Sequence, residues 1–311
     1  MLYSGIHFNF SFSDEFFDRL YQDFRRVRPD VASKWFGADA AGDAAAPSAF
    51  RNACYLNLSA WGTRYAWLIV YLFASSSVLD PSFFPDPAAA EASGLHTRYA
   101  SPRSSEIGYW NTFDPVLDYS GLQNYVDSIV RYVDNGTLMY PAELYYPVRL
   151  KPAGLYRMET LREQGVSHIE FRTIDENPFS PVGIFREDIQ FLHLLMVWLM
   201  YHLEKEFTPQ EQISALHDMK KAALYDDNTL LSNGISVREN AHLTLAGIEG
   251  FFRKGVFTAV ERSYIHEALW YQKQKLIPGN RYAEIVRREF GDDYQARGLE
   301  LAKRHAKRLR G

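Results

Sequence analysis

The sequence predicts an α+β fold, in which a largely antiparallel sheet with one polar face is backed by long helices. Two segments, residues 6–12 and 168–174, alternate apolar and polar side chains in the pattern of half-buried strands. Long helical segments separate them, rather than the regular strand–helix–strand units that build a parallel sheet. Hydrophobic residues make up 47% of the 311 residues, enough for a large buried core.

Charge and cysteine content narrow the class of protein. Lys and Arg total 34 against 38 Asp and Glu, so nothing draws the chain to nucleic acid or to an anionic membrane, and we expect small-molecule partners. Cys54 is the single cysteine, which excludes an internal disulfide and favours a reducing cytoplasm. The longest apolar runs, residues 66–74 and 191–201, are shorter than the roughly 20 residues of a membrane span.

The opening strand has an aromatic back and a polar front. In "SGIHFNFSF" one side carries only apolar residues, while His7, Asn9 and Ser11 lie on the other. Ser13 is a predicted N-cap for a helix over residues 14–27, whose apolar positions follow helical spacing. We expect this helix to pack on the aromatic back and to leave His7 facing away from it.

The remainder of the chain is mainly helical. Segments 38–49 and 80–94, rich in Ala, Pro, Gly and Asp, are predicted surface loops. The "TPQE" sequence at residues 208–211 is a capping box with Pro at the first helical position. Helices are predicted at residues 52–73, 189–203, 208–224 and 282–310.

The second strand lies in "SHIEFRTIDENPFSPVGI", residues 167–184. Ile169 and Phe171 point to one side, and His168, Glu170 and Arg172 point to the other. After the strand, two residues that precede prolines hold the backbone extended, which predicts a stiff loop at the strand end.

These residue types suit a metal and phosphate site. Magnesium prefers carboxylate oxygen with an occasional imidazole, and arginine offers a fork of donors to phosphate, so His7, Glu170 and Arg172 on two strand faces have the required chemistry. The simpler alternative is that Glu170 and Arg172, on one strand face, form solvated or cross-strand ion pairs and that His7 is a hydrogen-bonded surface or core group.

Other common site motifs are missing from the sequence. There is neither a G-x-x-x-x-G-K loop nor a G-x-G-x-x-G loop, so any nucleotide has to be held by metals and arginines on a sheet. The segment "HEALW" at His266 is not a zinc-binding helix, because Trp270 occupies the place of the second histidine.

Four motifs, in the right order, resemble one family. The segment "IEFRTIDENPFSPVGI" and the apolar helix after it resemble the signature region of glutamate-cysteine ligases, particularly the ligase module of bifunctional bacterial enzymes that make glutathione. "SGIHFNFSF" resembles the strand with the family's metal-binding histidine, and "SPRSSEIGY" and "ELYYPVRL" resemble its substrate-binding segments. The resemblance is strong over residues 1–197.

The resemblance implies a role for individual residues. Glu170 and Arg172 would be catalytic, with Arg172 on the transferred phosphoryl group of ATP, and Glu170 would bind Mg²⁺ or Mn²⁺ together with His7. Arg103 would pair with the α-carboxylate of glutamate, and Tyr109 and Tyr145 would line the cysteine pocket. Packing for the tyrosines and solvation for Arg103 are the alternatives.

The implied fold is that of the glutamine synthetase-like carboxylate-amine ligases. The implied reaction joins the γ-carboxylate of glutamate to cysteine through an acyl phosphate, giving γ-glutamylcysteine in the first step of glutathione biosynthesis. We expect residues 1–311 to form a single domain, with the sheet and site motifs in 1–185 and mainly helices in 186–311.

One departure from the family bears on activity. In these ligases a strand with two glutamates precedes the histidine strand, so we expect this chain to be the larger C-terminal part of the catalytic domain and to be inactive or feeble alone. Two alternatives stay open: a related ligase with another amine acceptor, and a non-catalytic fragment that binds a partner chain.

Overall fold

A three-stranded antiparallel sheet forms the centre of the site-bearing part of the molecule. The computed structural model describes residues 4–27, 46–202, 206–291 and 293–310. The strands are β1 (Gly5–Phe10), β2 (Val148–Lys151) and β3 (His168–Asp175), in the order β1–β3–β2. Both predicted strands therefore lie in one sheet, and the predicted α+β class is confirmed.

Helices make up most of the remainder. Within the described residues they are α1 (Asp14–Val27), α2 (Ala46–Arg64), α3 (Ala66–Phe73), α4 (Pro87–Ala92), α5 (Leu122–Asp134), α6 (Met158–Gln164), α7 (Arg186–Met200), α8 (Pro209–Ala222), α9 (Val237–Arg253), α10 (Ala259–Gln274), α11 (Tyr282–Phe290) and α12 (Tyr294–Arg310). Across the described ranges, no helix has both the length and the apolar character that a bilayer span requires.

Several predicted boundaries differ from the observed ones, including that of the helix predicted over 189–203, which is Arg186–Met200. The helix predicted over 52–73 is two helices, α2 and α3, and α2 already begins within the predicted loop 38–49, whose residues 38–45 lie outside the described ranges. The predicted loop 80–94 contains α4, because the Asp86 side chain accepts a hydrogen bond from Ala89 N and Pro follows at the first helical position. Gly291, with a φ of 45°, ends α11 and divides the predicted C-terminal helix.

The start signals read from the sequence are confirmed. Ser13 Oγ accepts a hydrogen bond from Phe16 N at 3.2 Å, and the Phe12 ring stacks on Phe16 with centroids 4.2 Å apart. The capping box of Thr208 and Glu211 is formed at the start of α8. Phe12, at the end of the aromatic side of the first strand segment, thus packs on α1, as predicted.

The apolar back of the sheet packs against α2. A methyl group on Gly62 of α2 would lie only 2.9 Å from Phe171 Cζ, so the close contact between helix and sheet requires glycine there. Buried apolar side chains form a connected cluster that reaches from Phe17 to Tyr282. This continuity supports the expectation of one domain, which stays a prediction.

A buried polar network ties the C-terminal helices to the core. Asp188, in the first turn of α7, accepts hydrogen bonds from Lys275 Nζ at 2.6 Å, Gln272 Nε2 at 2.9 Å and the Tyr282 hydroxyl at 2.7 Å. Lys275 Nζ also donates to the Leu72 carbonyl at 3.1 Å. Burial lowers the pKa of Lys275 to about 8, although Asp188 acts in the opposite direction. The network therefore joins α3, α7, α10 and α11 at one point.

Substitution of Lys275 by Met tests the contribution of this network. We expect a loss of about 3 kcal/mol or more in the free energy of unfolding, because the Asp188 carboxylate is left buried without its cation. The measurement is urea unfolding at pH 7. Lys273→Met is the matched control, since Lys273 pairs with Glu249 at a partly exposed position and should change stability by about 1 kcal/mol or less. Equal losses for the two variants would show that the network is not a stabilising centre.

Candidate active site

Strand pairing brings polar residues from all three strands to one face of the sheet. Glu170, on the central strand β3, is paired with Asn9 of β1 on one side and with Arg149 of β2 on the other. Ile6 pairs with Ile174, and Phe8 pairs with Phe171. Between these pairs β1 has one residue, His7, and β3 has two, so β3 forms a bulge opposite His7. Arg172 is one of these two residues. The bulge therefore sets His7 beside Arg172 at the site.

Glu170 lies at the centre of a charged cluster. Its Oε2 atom is 3.6 Å from His7 Nδ1 and 3.7 Å from Lys151 Nζ, and its Oε1 atom is 3.5 Å from Arg172 Nε. Glu170 is only 7% exposed, whereas the His7 side chain is 41% exposed and lies opposite the phenylalanine face. The structure thus brings together His7, Glu170 and Arg172, as the family resemblance predicts.

Its polar neighbours keep Glu170 ionised. Burial raises the pKa of this carboxyl group, but His7, Lys151 and Arg172 together outweigh burial and lower it from 4.5 to about 2. The carboxylate is therefore charged over the whole physiological range. A permanently charged, buried carboxylate is a suitable ligand for a divalent cation.

The simpler alternative, that Glu170 belongs to a solvated or cross-strand ion pair, can be compared with the geometry. Glu170 is not a solvated surface group, because its side chain is buried. It does form a cross-strand ion pair, since Lys151 belongs to β2 and Glu170 to β3. A purely structural ion pair and a ligand-binding site are both compatible with these contacts, so the metal-binding role stays a prediction.

His7 and Glu170 fit a metal ion as two protein ligands. Glu170 Oε1 is buried and has no hydrogen-bond partner among the described groups, so it keeps an acceptor position for a cation. An imidazole nitrogen and a carboxylate oxygen suit Mg²⁺ or Mn²⁺ when water and phosphate oxygens supply the other ligands. Within the described ranges, no three His, Cys, Asp or Glu side chains come together as a metal site. The fit is thus to an ion with two ligands from these residues.

Arg103 is fixed at the end of the sheet. It lies in the helical turn Pro102–Ser104, and its Nη1 atom donates to the Ile174 carbonyl at 3.2 Å. The guanidinium packs directly on Gly5, where a methyl group would lie 2.3 Å from Arg103 Cζ. Burial lowers the pKa of Arg103, against the raising effect of Asp175. Arg103 is therefore a positioned, half-buried group and not a freely solvated one.

Asp175 holds the Arg103 turn in place. Its carboxylate accepts hydrogen bonds from Ser75 N at 3.0 Å, Ser76 Oγ at 2.6 Å and Ser101 Oγ at 2.8 Å. Ser101 is the N-cap residue of the turn that carries Arg103. Sequence reasoning missed Asp175, although its place at the end of β3, directly before "ENPFSP", was a usable signal.

The two predicted tyrosines lie side by side near Arg172. The rings of Tyr109 and Tyr145 stack with centroids 6.1 Å apart, and Arg172 Cζ stands 5.9 Å from the Tyr145 centroid. Asn111 fixes the Tyr145 backbone through two hydrogen bonds, at 2.8 and 3.1 Å. The structure thus places the tyrosines beside the charged cluster, whereas their contact with cysteine stays a prediction.

Two cations of β2 were missed by sequence reasoning. Arg149 and Lys151 are two residues apart on one strand, and therefore share the polar face with Glu170. Arg149 is buried and donates to the carbonyls of Ala142 at 3.2 Å and Leu144 at 2.8 Å. The alternation in "VRLK" was the available signal, but four residues are too few for a confident strand prediction.

The loop after β3 is closely held, as the two prolines predict. Asn177 N donates to the Gly183 carbonyl at 2.7 Å, and the Ser180 hydroxyl donates to the Ile184 carbonyl at 2.7 Å. From the far end of the chain, His305 of α12 contacts the Pro178 carbonyl at 2.9 Å. This loop joins the site strand to α7 in a fixed shape.

Fold and site together define an α+β protein whose antiparallel sheet presents a cation-rich polar face, a surface suited to anionic ligands. Comparison with known families agrees with that class. The family model described as glutamate-cysteine ligase matches residues 1–142 and 133–222. The chain belongs to the glutamate-cysteine ligase family.

Individual relatives extend the comparison. The glutathione biosynthesis bifunctional protein GshAB of Listeria monocytogenes is 30% identical over 254 residues, which cover 79% of this chain and 30% of the relative. The GshAB protein of Enterococcus faecalis is 34% identical over 205 residues, which cover 65% of this chain and 24% of the relative. The chain thus spans about 30% or less of the length of these relatives.

Solved structures share the fold. A glutamate-cysteine ligase from Francisella tularensis, in complex with AMP, superposes with a TM-score of 0.76 at 18% sequence identity. The superposition covers 99% of this chain and 64% of the Francisella chain. A bifunctional glutathione synthetase from Pasteurella multocida superposes with a TM-score of 0.75 at 20% sequence identity. The superposition covers 97% of this chain and 36% of the Pasteurella chain. These likenesses support the predicted ligase fold.

Substitution of Glu170 by Gln tests the charged cluster through its pH dependence. Because the pKa of Glu170 is lowered, its ionic stabilisation is present above its ordinary pKa of 4.5 and is lost as the pH falls through about 2. We expect Glu170→Gln to reduce the free energy of unfolding by on the order of 3 kcal/mol at pH 7, and by progressively less below pH 4.5.

The readout is urea unfolding of both proteins from pH 7 to pH 2.5. Glu163→Gln is the control, because Glu163 is exposed on α6 and should leave stability nearly unchanged at every pH. A wild-type to Glu170→Gln difference that stays constant with pH would refute the cluster as the cause.

Proposed function

We propose that this protein ligates the γ-carboxylate of L-glutamate to the amine of L-cysteine, with ATP as the energy source. ATP phosphorylates the γ-carboxylate to an acyl phosphate, and the cysteine amine then displaces phosphate to give γ-glutamylcysteine. The observation that carries the proposal is the convergence of His7, Glu170 and Arg172 on one sheet face in a member of this family.

His7 and Glu170 would hold Mg²⁺ or Mn²⁺ through an imidazole nitrogen and a carboxylate oxygen. When bound, the metal neutralises charge on the phosphoryl oxygens and orients them. Glu170 supplies the negative charge and His7 the neutral nitrogen ligand. Arg172 contacts the transferred phosphoryl group, and its buried Nη1 atom, which has no partner among the described groups, is a donor available for that contact.

Arg103, Tyr109 and Tyr145 are the proposed amino-acid subsites. Arg103 would pair its fork of donors with the planar α-carboxylate of glutamate. Tyr109 and Tyr145 would form one wall of the cysteine pocket, and their stacked rings lie next to Arg172. Adjacent subsites bring the amine of cysteine close to the acyl phosphate, which favours the second step by proximity.

The proposed reaction requires no nucleophile from the protein. Cys54 is buried, and burial raises the pKa of its thiol, so it is a neutral thiol at physiological pH. Its environment is that of a core residue. This agrees with a mechanism in which the substrates supply both the nucleophile and the leaving group.

The setting of the enzyme is also a proposal. Residues 1–311 would form one domain, the larger part of the ligase catalytic domain, with site motifs in 1–185 and helices in 186–311. Glutamate, cysteine and ATP would be its small-molecule partners in the cytoplasm. Binding of AMP by the Francisella ligase supports an adenine nucleotide as ligand of the shared fold.

A coupled ADP-release assay with ATP, magnesium and glutamate, with and without cysteine, tests the activity. It is run on this chain and on a form extended upstream of Met1. We expect ADP release to require glutamate and to be accelerated by cysteine, with γ-glutamylcysteine identified by mass spectrometry. Acceleration by another amine would identify a different acceptor.

Two variants of the active form complete the assay. Glu170→Gln removes the charge that would hold the metal while keeping the side-chain size, so we expect turnover to fall by a factor of about 100 or more. Glu163→Gln, on the exposed side of α6, should retain full turnover. No glutamate-dependent ADP release from either form of the protein would refute the proposed function.

A further inference from the structure

The polar face of the sheet carries more positive than negative charge. Arg149, Lys151 and Arg172 lie around the carboxylate of Glu170, whereas the other described carboxylate of the strands, Asp175, lies at the end of β3 and is bound by three serines. Burial, together with the nearby Arg149 and Arg103, outweighs the raising effect of Glu170 and lowers the pKa of Arg172 to about 10. Uncompensated cations at low exposure are stabilised by an anionic ligand.

The arginines of this face already have fixed positions. Arg149 donates to two backbone carbonyls and stands over the Tyr156 ring, with Cζ 4.8 Å from the centroid. Arg103 donates to the carbonyl of Ile174. Both guanidinium groups are thus held by the protein itself.

Lys151 is held much less firmly. Its Nζ atom lies 3.7 Å from Glu170 Oε2, beyond the range of a good hydrogen bond, and 4.7 Å from the Tyr156 centroid. The side chain is 19% exposed, so it keeps some access to solvent. Four flexible bonds allow this group to move without any change in the strand.

Lys151 and His7 face the same carboxylate oxygen. Oε2 of Glu170 is 3.6 Å from His7 Nδ1 and 3.7 Å from Lys151 Nζ. A divalent cation held by His7 and Glu170 would take over the charge that Lys151 now balances, and would repel the ammonium group. The ammonium group would then be released within a few ångströms of any phosphate that the metal binds.

We infer that Lys151 is a displaceable counter-charge that stabilises Glu170 before the metal binds and then contacts the phosphate oxygens of the nucleotide. This inference rests on the proposed function, because it takes a metal-bound nucleotide as the ligand. It adds Lys151 to the proposed nucleotide-binding residues and gives this side chain opposite effects on two binding equilibria. Lys151 opposes binding of the bare metal and favours binding of the metal–nucleotide complex.

Binding measurements on Lys151→Gln separate these roles without any need for turnover. Mn²⁺ alone is titrated by electron paramagnetic resonance, and MgADP is titrated by calorimetry. We expect Mn²⁺ to bind Lys151→Gln at least as tightly as wild type, because a competing cation is gone. MgADP should bind about 10- to 100-fold more weakly, the usual effect of losing one charge-assisted contact to phosphate.

Two further variants act as controls. Lys151→Arg keeps the charge and should recover most of the MgADP affinity, whereas Lys221→Gln removes a partly exposed lysine of α8 and should bind both ligands like wild type. Parallel weakening of Mn²⁺ and MgADP binding by Lys151→Gln would show a merely structural lysine and would overturn the inference. Unchanged MgADP binding by Lys151→Gln would overturn it as well. Failure of the wild-type protein to bind MgADP would refute the proposed function, and the inference with it.

Discussion

The ionised, buried carboxylate of Glu170 is the feature on which the polar face of the sheet depends. Three groups converge on it from all three strands: His7 from β1, Lys151 from β2 and Arg172 from β3 itself. Without this negative charge Arg149, Lys151 and Arg172 would face one another with no carboxylate between them, and like charges repel one another at low exposure. Since burial alone would raise the pKa of Glu170, the neighbouring groups that lower it to about 2, His7, Lys151 and Arg172, are what keep the carboxylate charged. The charge of Glu170 and the positions of the groups around it therefore depend on one another.

The remainder of the fold fixes this face from two sides. Behind the sheet, Gly62 lets α2 approach Phe171 closely, so the strand that carries Glu170 and Arg172 has a rigid support. At the end of β3, Asp175 ties the turn with Arg103 to the sheet through three serine contacts. The loop that follows leads into α7. There Asp188 binds Lys275, at the end of α10, and so anchors the C-terminal helices. Site geometry and core packing thus meet along one continuous segment of the chain, residues 168–188.

Local patterns predicted some of these features and could not predict others. Alternation alone places Glu170 and Arg172 on one face of their strand and His7 on the polar face of another strand, because side chains on a strand alternate regardless of tertiary context. The family resemblance, not alternation, predicts that the two faces meet. The bulge opposite His7 depends on how two distant strands pair, and no pattern within either strand encodes it. Asp188 and Lys275 are 87 residues apart, and each taken alone is an ordinary charged residue on a helix. Arg149 and Lys151 lie on a strand of four residues, too short for its period to be recognised. Family resemblance supplied what spacing did not, namely the chemical roles of Arg103, Tyr109 and Tyr145.

The central claim is that His7 and Glu170 together bind a divalent metal, and the most direct test is spectroscopic. Pulsed electron paramagnetic resonance of Mn²⁺ bound with ADP detects nitrogen nuclei coordinated to the ion. We expect a coupling from one imidazole nitrogen in the wild-type protein, shifted in ¹⁵N-histidine-labelled protein and absent from His7→Ala. A manganese signal without nitrogen coupling, or a coupling that persists in His7→Ala, would contradict the claim and would leave the cluster around Glu170 as a structural ion pair.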